Sequence, residues 1–311
     1  MQISLVYRCF DISVYKCLLV FLCIGELNLS WQLAKITTFN ATIDCTTFKK
    51  PNSHNTYMDL QLYQEFLFQP IISLIAVLSF FLAFFVFLKL RRIHNGDKIK
   101  NTMTKVFGIL TIGILFFSAA EIYYSYLLMN GFPSDFTLAD ILWIVGYLCV
   151  AIGFFYFTYH MYEQKDSGSY GLTLWISVAI GLSTTMYLLL TIFQPNDPSS
   201  SFLEAFVNYF YPIGSIIVVV SSISTYLFFQ DVKNLGLPLL FFSFAYLFDF
   251  SGNTLFVYCD ATNSYGVPGL VSDLSFVFFY VCVFIGFLLL NKGLATYEAE
   301  HKEQKKQSQK E

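Results

Sequence analysis

The chain has 311 residues, of which 56% are hydrophobic and only 13% are charged. So few charged side chains cannot solubilise a globular protein of this size, and the composition therefore excludes an ordinary soluble domain. The formal net charge is only −3, and the basic residues lie in short turns between apolar stretches, so nothing supports nucleic-acid binding.

Residues 1–25 have the pattern of a signal peptide. Arg8 and Lys16 precede the apolar run 17–24, which is shorter than the roughly 20 residues needed to cross a bilayer. Small residues end that run. The pattern predicts a signal peptide or signal anchor, and the alternatives are an uncleaved eighth helix or a misplaced start codon.

Residues 26–66 are mainly polar and contain a glycosylation sequon at Asn40. We predict that they form an extracytoplasmic lead-in to the first membrane span. Cys45 lies in this segment, and Cys259 is expected on the same oxidising side of the membrane. A disulfide between these two cysteines is therefore one possibility.

Seven apolar stretches follow, and each is long enough to cross a bilayer. A helix rises about 1.5 Å per residue, so roughly 20 apolar residues cover a ~30 Å hydrocarbon core. The predicted spans are 67–90, 106–128, 139–159, 172–193, 206–229, 237–258 and 270–290. The sequence thus predicts an all-α integral membrane protein, with a seven-helix bundle in the lipid bilayer at residues 67–290.

The turns between these spans alternate in charge. The turn after the first span carries six Lys and Arg residues against one acid, Asp97. The turns after the second, fourth and sixth spans contain no Lys or Arg and carry Asp135, Asp197, Glu204 and Asp260. By the positive-inside rule the basic turns are cytoplasmic and the acidic turns lie outside, which predicts a multi-pass protein of the cell membrane.

The same alternation places the tail, residues 291–311, in the cytoplasm. Its Glu and Lys residues recur at helical spacing, so the last span is expected to continue as a solvated helix and then fray. About twenty residues cannot form an independently folded output domain.

The third, fifth and seventh spans share a pattern at their outer ends. Each has an acid or amide at i, an aromatic ring at i+3 and a hydroxyl at i+7, all on one helix face. The residues are Asp140, Trp143 and Tyr147, then Asn208, Tyr211 and Ser215, then Asp273, Phe276 and Tyr280. We predict one lead helix plus three repeated two-helix hairpins. Chance matching in an aromatic-rich chain is the alternative.

The segments LADILWIVGYLCVAIGFFYF, YPIG and SDL resemble a seven-helix membrane sensor region found ahead of histidine kinase, PAS or diguanylate cyclase modules in archaeal and bacterial signalling proteins. The hallmark of that region is an acid, an aromatic residue and Gly-Tyr, matched here by Asp140, Trp143, Gly146 and Tyr147. The resemblance implies a sensor or ligand-binding module. Two departures are Ser215, where such regions often have a second acid, and the missing output module.

Two acids lie within predicted spans, Glu121 in the second and Asp249 in the sixth. A carboxylate at membrane depth costs roughly 2.5–3.5 kcal/mol on insertion scales, so it normally faces the bundle interior. Asp249 shares a helix face with Tyr246 and Asn253. One interpretation is that the two acids are protonated or hydrogen-bonded and join helices. The acids at the outer ends of other spans can equally be explained by the helix dipole, which favours negative charge at a helix N-terminus.

The sharper hypothesis is an acidic, aromatic-lined cavity that opens outward and binds a cation or a small polar ligand. The candidate ligand-binding residues are Glu121, Asp140, Trp143, Tyr147, Asn208, Tyr211, Tyr246, Asp249, Asn253, Asp273 and Tyr280.

The sequence lacks the residues that several known functions require. The last span has no lysine before Lys292 for a retinal Schiff base, and all four histidines fall outside the spans, so neither a cofactor nor a metal site is expected. No HExxH, GxSxG or phosphate-loop motif occurs, so we expect no enzyme activity.

These patterns favour a sensor that binds a small ligand or cation from outside and signals through the last helix to a separate cytoplasmic partner. One alternative is a small transporter or channel that uses Glu121 and Asp249 as a proton or cation relay. A structural or assembly subunit is a third possibility.

Overall fold

The computed structural model describes residues 53–93, 98–130, 136–162, 202–232, 234–262 and 266–308. These residues form six helices and no strand. The helices are α1 (Ser53–Ile93), α2 (Lys98–Met129), α3 (Leu138–Tyr162), α4 (Phe202–Phe229), α5 (Gly236–Thr262) and α6 (Gly266–Ser308).

All six helices are long and apolar enough to cross a membrane. This confirms the all-α architecture and is the pattern of a multi-pass membrane protein, because only structures that satisfy their own backbone hydrogen bonds can span lipid. Predicted spans one to three and five to seven fall within α1 to α6. The fourth predicted span, 172–193, lies outside the described residues, so the seven-helix count and the repeated hairpins stay predictions.

Two helices extend beyond the predicted spans. α1 begins at Ser53, well before the predicted start at residue 67, so the end of the lead-in segment is already helical. α6 continues past residue 290 through the charged tail to Ser308. The predicted signal peptide and the Asn40 sequon lie outside the described residues.

Glycines allow α2 and α3 to approach closely. A Cβ atom on Gly113 would lie 2.7 Å from Val150 Cγ2 and 3.2 Å from the carbonyl oxygen of Gly146. A Cβ atom on Gly146 would in turn lie 3.0 Å from the ring of Phe117. Small residues at such crossings are typical of membrane helices, whose association depends on close van der Waals packing.

The interior of the bundle contains aromatic rings, and its surface carries exposed apolar side chains. Large side chains such as Phe117, Phe154 and Phe279 are almost fully buried, whereas Leu74 and Phe81 on α1 are more than half exposed. Exposed apolar side chains on spanning helices are consistent with contact with lipid tails. Among the described helices, α2, α3, α4 and α5 each pack against the helix that follows in chain order.

Candidate functional site

Glu121 on α2 is a buried acid that joins four helices. Its side chain is 6% exposed. Gln69 Nε2 on α1 donates to Glu121 Oε2 over 2.8 Å. Trp143 Nε1 on α3 and the Tyr280 hydroxyl on α6 both donate to Oε1, over 3.2 and 2.8 Å.

These donors define what Glu121 can do. An amide nitrogen and an indole nitrogen donate hydrogen bonds but do not accept them, so Gln69 and Trp143 each require an acceptor. All three side chains that contact the carboxylate are neutral. The arrangement suits an anion that is held by dipoles instead of by a cationic side chain.

Asp249 on α5 is the second buried acid, at 3% exposed. The Tyr147 hydroxyl on α3 contacts both carboxylate oxygens, over 2.8 and 2.7 Å. Asn253 Nδ2, one turn further along α5, lies 3.2 Å from Asp249 Oδ1, 2.6 Å from the Tyr147 hydroxyl and 2.8 Å from Ser215 Oγ. Ser215 belongs to α4, so this group of side chains ties α3, α4 and α5 together.

Asp140 stabilises the start of α3 and contacts α4. Its Oδ2 atom accepts the backbone N–H of Thr137 over 2.8 Å and the Thr137 hydroxyl over 2.9 Å. Because Thr137 directly precedes the helix and Asp140 lies at its third position, the bond from the Thr137 N–H to the Asp140 side chain is one of the two bonds of a capping box. The Tyr211 hydroxyl donates to the other oxygen over 2.6 Å.

Aromatic rings connect the three acids. The Trp143 ring lies 5.5 Å from that of Tyr124 and 6.1 Å from that of Tyr211, between ring centroids. The centroid of the Tyr211 ring lies 6.4 Å from that of Tyr147, and the Tyr147 hydroxyl donates a hydrogen bond to Asp249. We call the connected set the polar network, and every described helix contributes to it: Gln69, Glu121, Asp140, Trp143, Tyr147, Tyr211, Ser215, Asp249, Asn253 and Tyr280.

The structure brings eight of the predicted site residues into this network. They are Glu121, Asp140, Trp143, Tyr147, Tyr211, Asp249, Asn253 and Tyr280. Their role in binding a ligand stays a prediction.

The remaining predicted residues are Tyr246, Asn208 and Asp273. Tyr246 is buried, with its ring 5.7 Å from that of Phe154 and 5.5 Å from that of Phe279. Asn208 and Asp273 are half-buried, about two turns after the starts of α4 and α6. The ring of Phe276 packs over Gly252 on α5, whose Cβ position lies 2.9 Å from it.

Cys259 is buried near the end of α5. Its predicted partner, Cys45, lies outside the described residues, and the disulfide stays a prediction.

The sequence analysis missed Gln69. This amide directly precedes Pro70 in an otherwise apolar run, and a lone amide at the start of a membrane span is the signal that could have revealed it. Ser73 on the same helix donates to the backbone oxygen of Glu121 over 3.0 Å and lies 2.7 Å from Ser125 Oγ. The lead helix therefore takes part in the network, although the repeat pattern gave it no such role.

In the part of the chain that the structure describes, no three His, Cys, Asp or Glu side chains lie close enough together to hold a metal ion. No protein-family model, curated protein or solved structure matches this chain. The resemblance to membrane sensor regions accordingly stays a prediction.

Proposed function

We propose that this protein is a non-enzymatic membrane sensor, which binds a small cation at the polar network from the outer side and signals through α6. The observation that carries the proposal is the 2.8 Å hydrogen bond from Tyr280 on α6 to Glu121. α6 continues from Tyr280 to Ser308 without a break, so one rigid element joins the network to the predicted cytoplasmic tail.

A ligand can act on this element through Glu121. A conformational equilibrium shifts only when a ligand interacts differently with its two states. A cation that draws the Glu121 carboxylate toward itself would weaken the bond to Tyr280 and so favour a second position of α6. A separate cytoplasmic protein would then recognise the new position of the tail.

The charge of the network favours a cation over an anion. Glu121 and Asp249 are buried, Asp140 is half-buried, and their described partners are neutral hydroxyl, amide, indole and backbone groups. The half-buried rings of Trp143 and Tyr124 add faces that attract cations. An anionic ligand would meet repulsion from the acids instead.

A binding screen tests this proposal on the full-length protein in lipid nanodiscs. The melting temperature is measured with Na⁺, K⁺, Ca²⁺ and choline, and with glucose and glutamate as neutral and anionic controls. At least one cation should raise the melting temperature of the wild type and of Tyr126→Phe, but not of Glu121→Gln. Tyr126 is a suitable control because it lies on the same helix and is 59% exposed. Equal stabilisation of all three variants, or no stabilisation by any cation, would contradict the proposal.

The second candidate function is a small cation or proton transporter, and a series of hydroxyl groups along α4 favours it. Beyond Ser215, Ser222 and Thr225 are also fully buried. The Thr225 hydroxyl lies 2.9 Å from that of Thr158 on α3. Such a series supplies polar groups at depths where a moving charge requires them.

Flux measurements separate the two functions. Proteoliposomes loaded with a pH-sensitive dye report proton entry, and a sodium-sensitive dye reports Na⁺. Robust flux that is lost in Glu121→Gln and Asp249→Asn would establish a transporter and overturn the sensor-only proposal. A sensor is expected to give the flux of empty liposomes.

A further inference from the structure

At its inner end α6 is held on two opposite faces within a single turn. On one face, Lys89 Nζ of α1 donates to the backbone oxygen of Asn291 over 3.4 Å and to its side-chain oxygen over 3.3 Å. On the other, Gly293 packs against the turn between α4 and α5, where its Cβ position lies 2.8 Å from Asn234 Cβ and 3.0 Å from Asn234 O. A helix turns about 100° per residue, so positions 291 and 293 lie about 200° apart.

Backbone hydrogen bonds stabilise the turn that contacts Gly293. Val232 N–H donates to the oxygen of Phe229 over 2.9 Å, and the N–H groups of Leu235 and Gly236 both donate to the oxygen of Val232, over 3.1 and 3.2 Å. Asn234 has a φ of 68°, a left-handed conformation that Asn tolerates better than most residues. Only a residue without a Cβ atom fits opposite this backbone, which explains the glycine at position 293.

This contact coincides with the point where α6 leaves the bundle. Leu290 and Gly293 are buried, whereas Ala295 and Thr296 are exposed. The helix therefore packs against its neighbours as far as Gly293 and leaves them directly after the two contacts.

We propose that Lys89, Asn291, Gly293 and Asn234 form a fulcrum about which α6 pivots, so that the tail swings when the outer half of the helix moves. The inference rests on the proposed signalling role of α6. Tyr280 lies about 20 Å above Gly293 and Ser308 about 22 Å below it, at about 1.5 Å per residue. A displacement at Tyr280 is thus returned at the tail with nearly equal size and opposite direction.

Spin-label distances in the full-length protein in nanodiscs test the fulcrum. All seven native cysteines are replaced, and labels are attached at Lys105→Cys on α2 and Gln304→Cys in the tail. Tyr280→Phe removes the bond to Glu121 and so releases the outer half of α6. Tyr126→Phe is the matched control.

The fulcrum is loosened with Lys89→Met and Asn234→Gly together. Methionine keeps most of the packing of the lysine stem without its ammonium group, and glycine tolerates the left-handed φ while removing the Cβ contact. Arg91→Met, an exposed residue two positions further along α1, is the control for lost charge.

With the fulcrum intact, Tyr280→Phe should shift the mean label distance by about 1–2 Å, the usual size of a helix shift. With the fulcrum loosened, the distance distribution should broaden and the shift should disappear. An equal shift without broadening in both backgrounds overturns the fulcrum and leaves the proposed function standing. Broadening without any shift from Tyr280→Phe supports the fulcrum as an anchor and overturns signalling through α6. If no distance changes, both proposals are wrong.

Discussion

The Tyr147 hydroxyl contacts both carboxylate oxygens of Asp249, over 2.8 and 2.7 Å, although the two residues lie on different helices. Glu121 and Asp140 each accept a hydrogen bond on one carboxylate oxygen from a tyrosine of another helix, Tyr280 and Tyr211 respectively. The three acids thus accept hydrogen bonds from neutral tyrosines of other helices, an arrangement that joins the helices.

Tyr147→Phe should destabilise the protein by about 1–2 kcal/mol. Hydrogen bonds between membrane helices average about 0.6 kcal/mol and reach about 1.7, and this one is buried and donated to an acid. Reversible unfolding in mixed detergent and SDS micelles measures the loss. Tyr159→Phe, on the same helix but 62% exposed, should change the free energy of unfolding by less than about 0.5 kcal/mol.

The same pair gives a double-mutant cycle. If Tyr147 acts through Asp249, the double variant should lose about 1 kcal/mol less free energy of unfolding than the sum of the losses in Tyr147→Phe and Asp249→Asn. Fully additive losses would show that the hydroxyl stabilises the bundle independently of Asp249.

Glu121→Gln should be milder than Glu121→Met by about 2 kcal/mol. Glutamine keeps an oxygen for Trp143 and Tyr280, and the Gln69 amide can rotate to offer its own oxygen to the new nitrogen. Methionine is similar in size but leaves three donors without an acceptor, two of them buried and one half-buried, at about 1–3 kcal/mol for each buried donor before relaxation. The same unfolding assay ranks the two variants, and equal or reversed losses would contradict the donor arrangement.

Gly113→Ala should separate α2 from α3 and destabilise the bundle by about 1–3 kcal/mol, the usual cost of overpacking. The new methyl group would lie 2.7 Å from Val150 Cγ2. Val150→Ala should therefore recover part of the loss when it is added to Gly113→Ala. Gly266→Ala on α6 is the control, because no atom of the described residues lies within 4 Å of its Cβ position, apart from the adjoining backbone. A Val150→Ala change that makes Gly113→Ala worse would disprove this steric account.

The predicted topology is tested by cysteine labelling in intact cells on a background without native cysteines. The alternation of charge places Asn130, after α2, outside and Asp231, after α4, in the cytoplasm. An impermeant maleimide should label Asn130→Cys before lysis and Asp231→Cys only after lysis. Labelling of Asp231→Cys in intact cells would reverse the orientation and place the α6 tail outside.

The sequence alone determined the positions of the described spans and the two acids within them. Both are local properties: a bilayer demands a certain apolar length, and each helix satisfies its own backbone hydrogen bonds within that length. The i, i+3, i+7 pattern likewise showed that Asp140, Trp143 and Tyr147 share a face, because helical periodicity requires no neighbour.

Only the tertiary structure decided which donor serves which acid. Tyr280 is 159 residues from Glu121 in the chain, and Tyr147 is 102 from Asp249. Such pairs depend on how far each helix is rotated and how closely it approaches its neighbours, which close contacts such as that at Gly113 set. The pairing of Gln69 was decided for the same reason: its partner Glu121 lies on another helix, and nothing within α1 shows which acid its amide contacts.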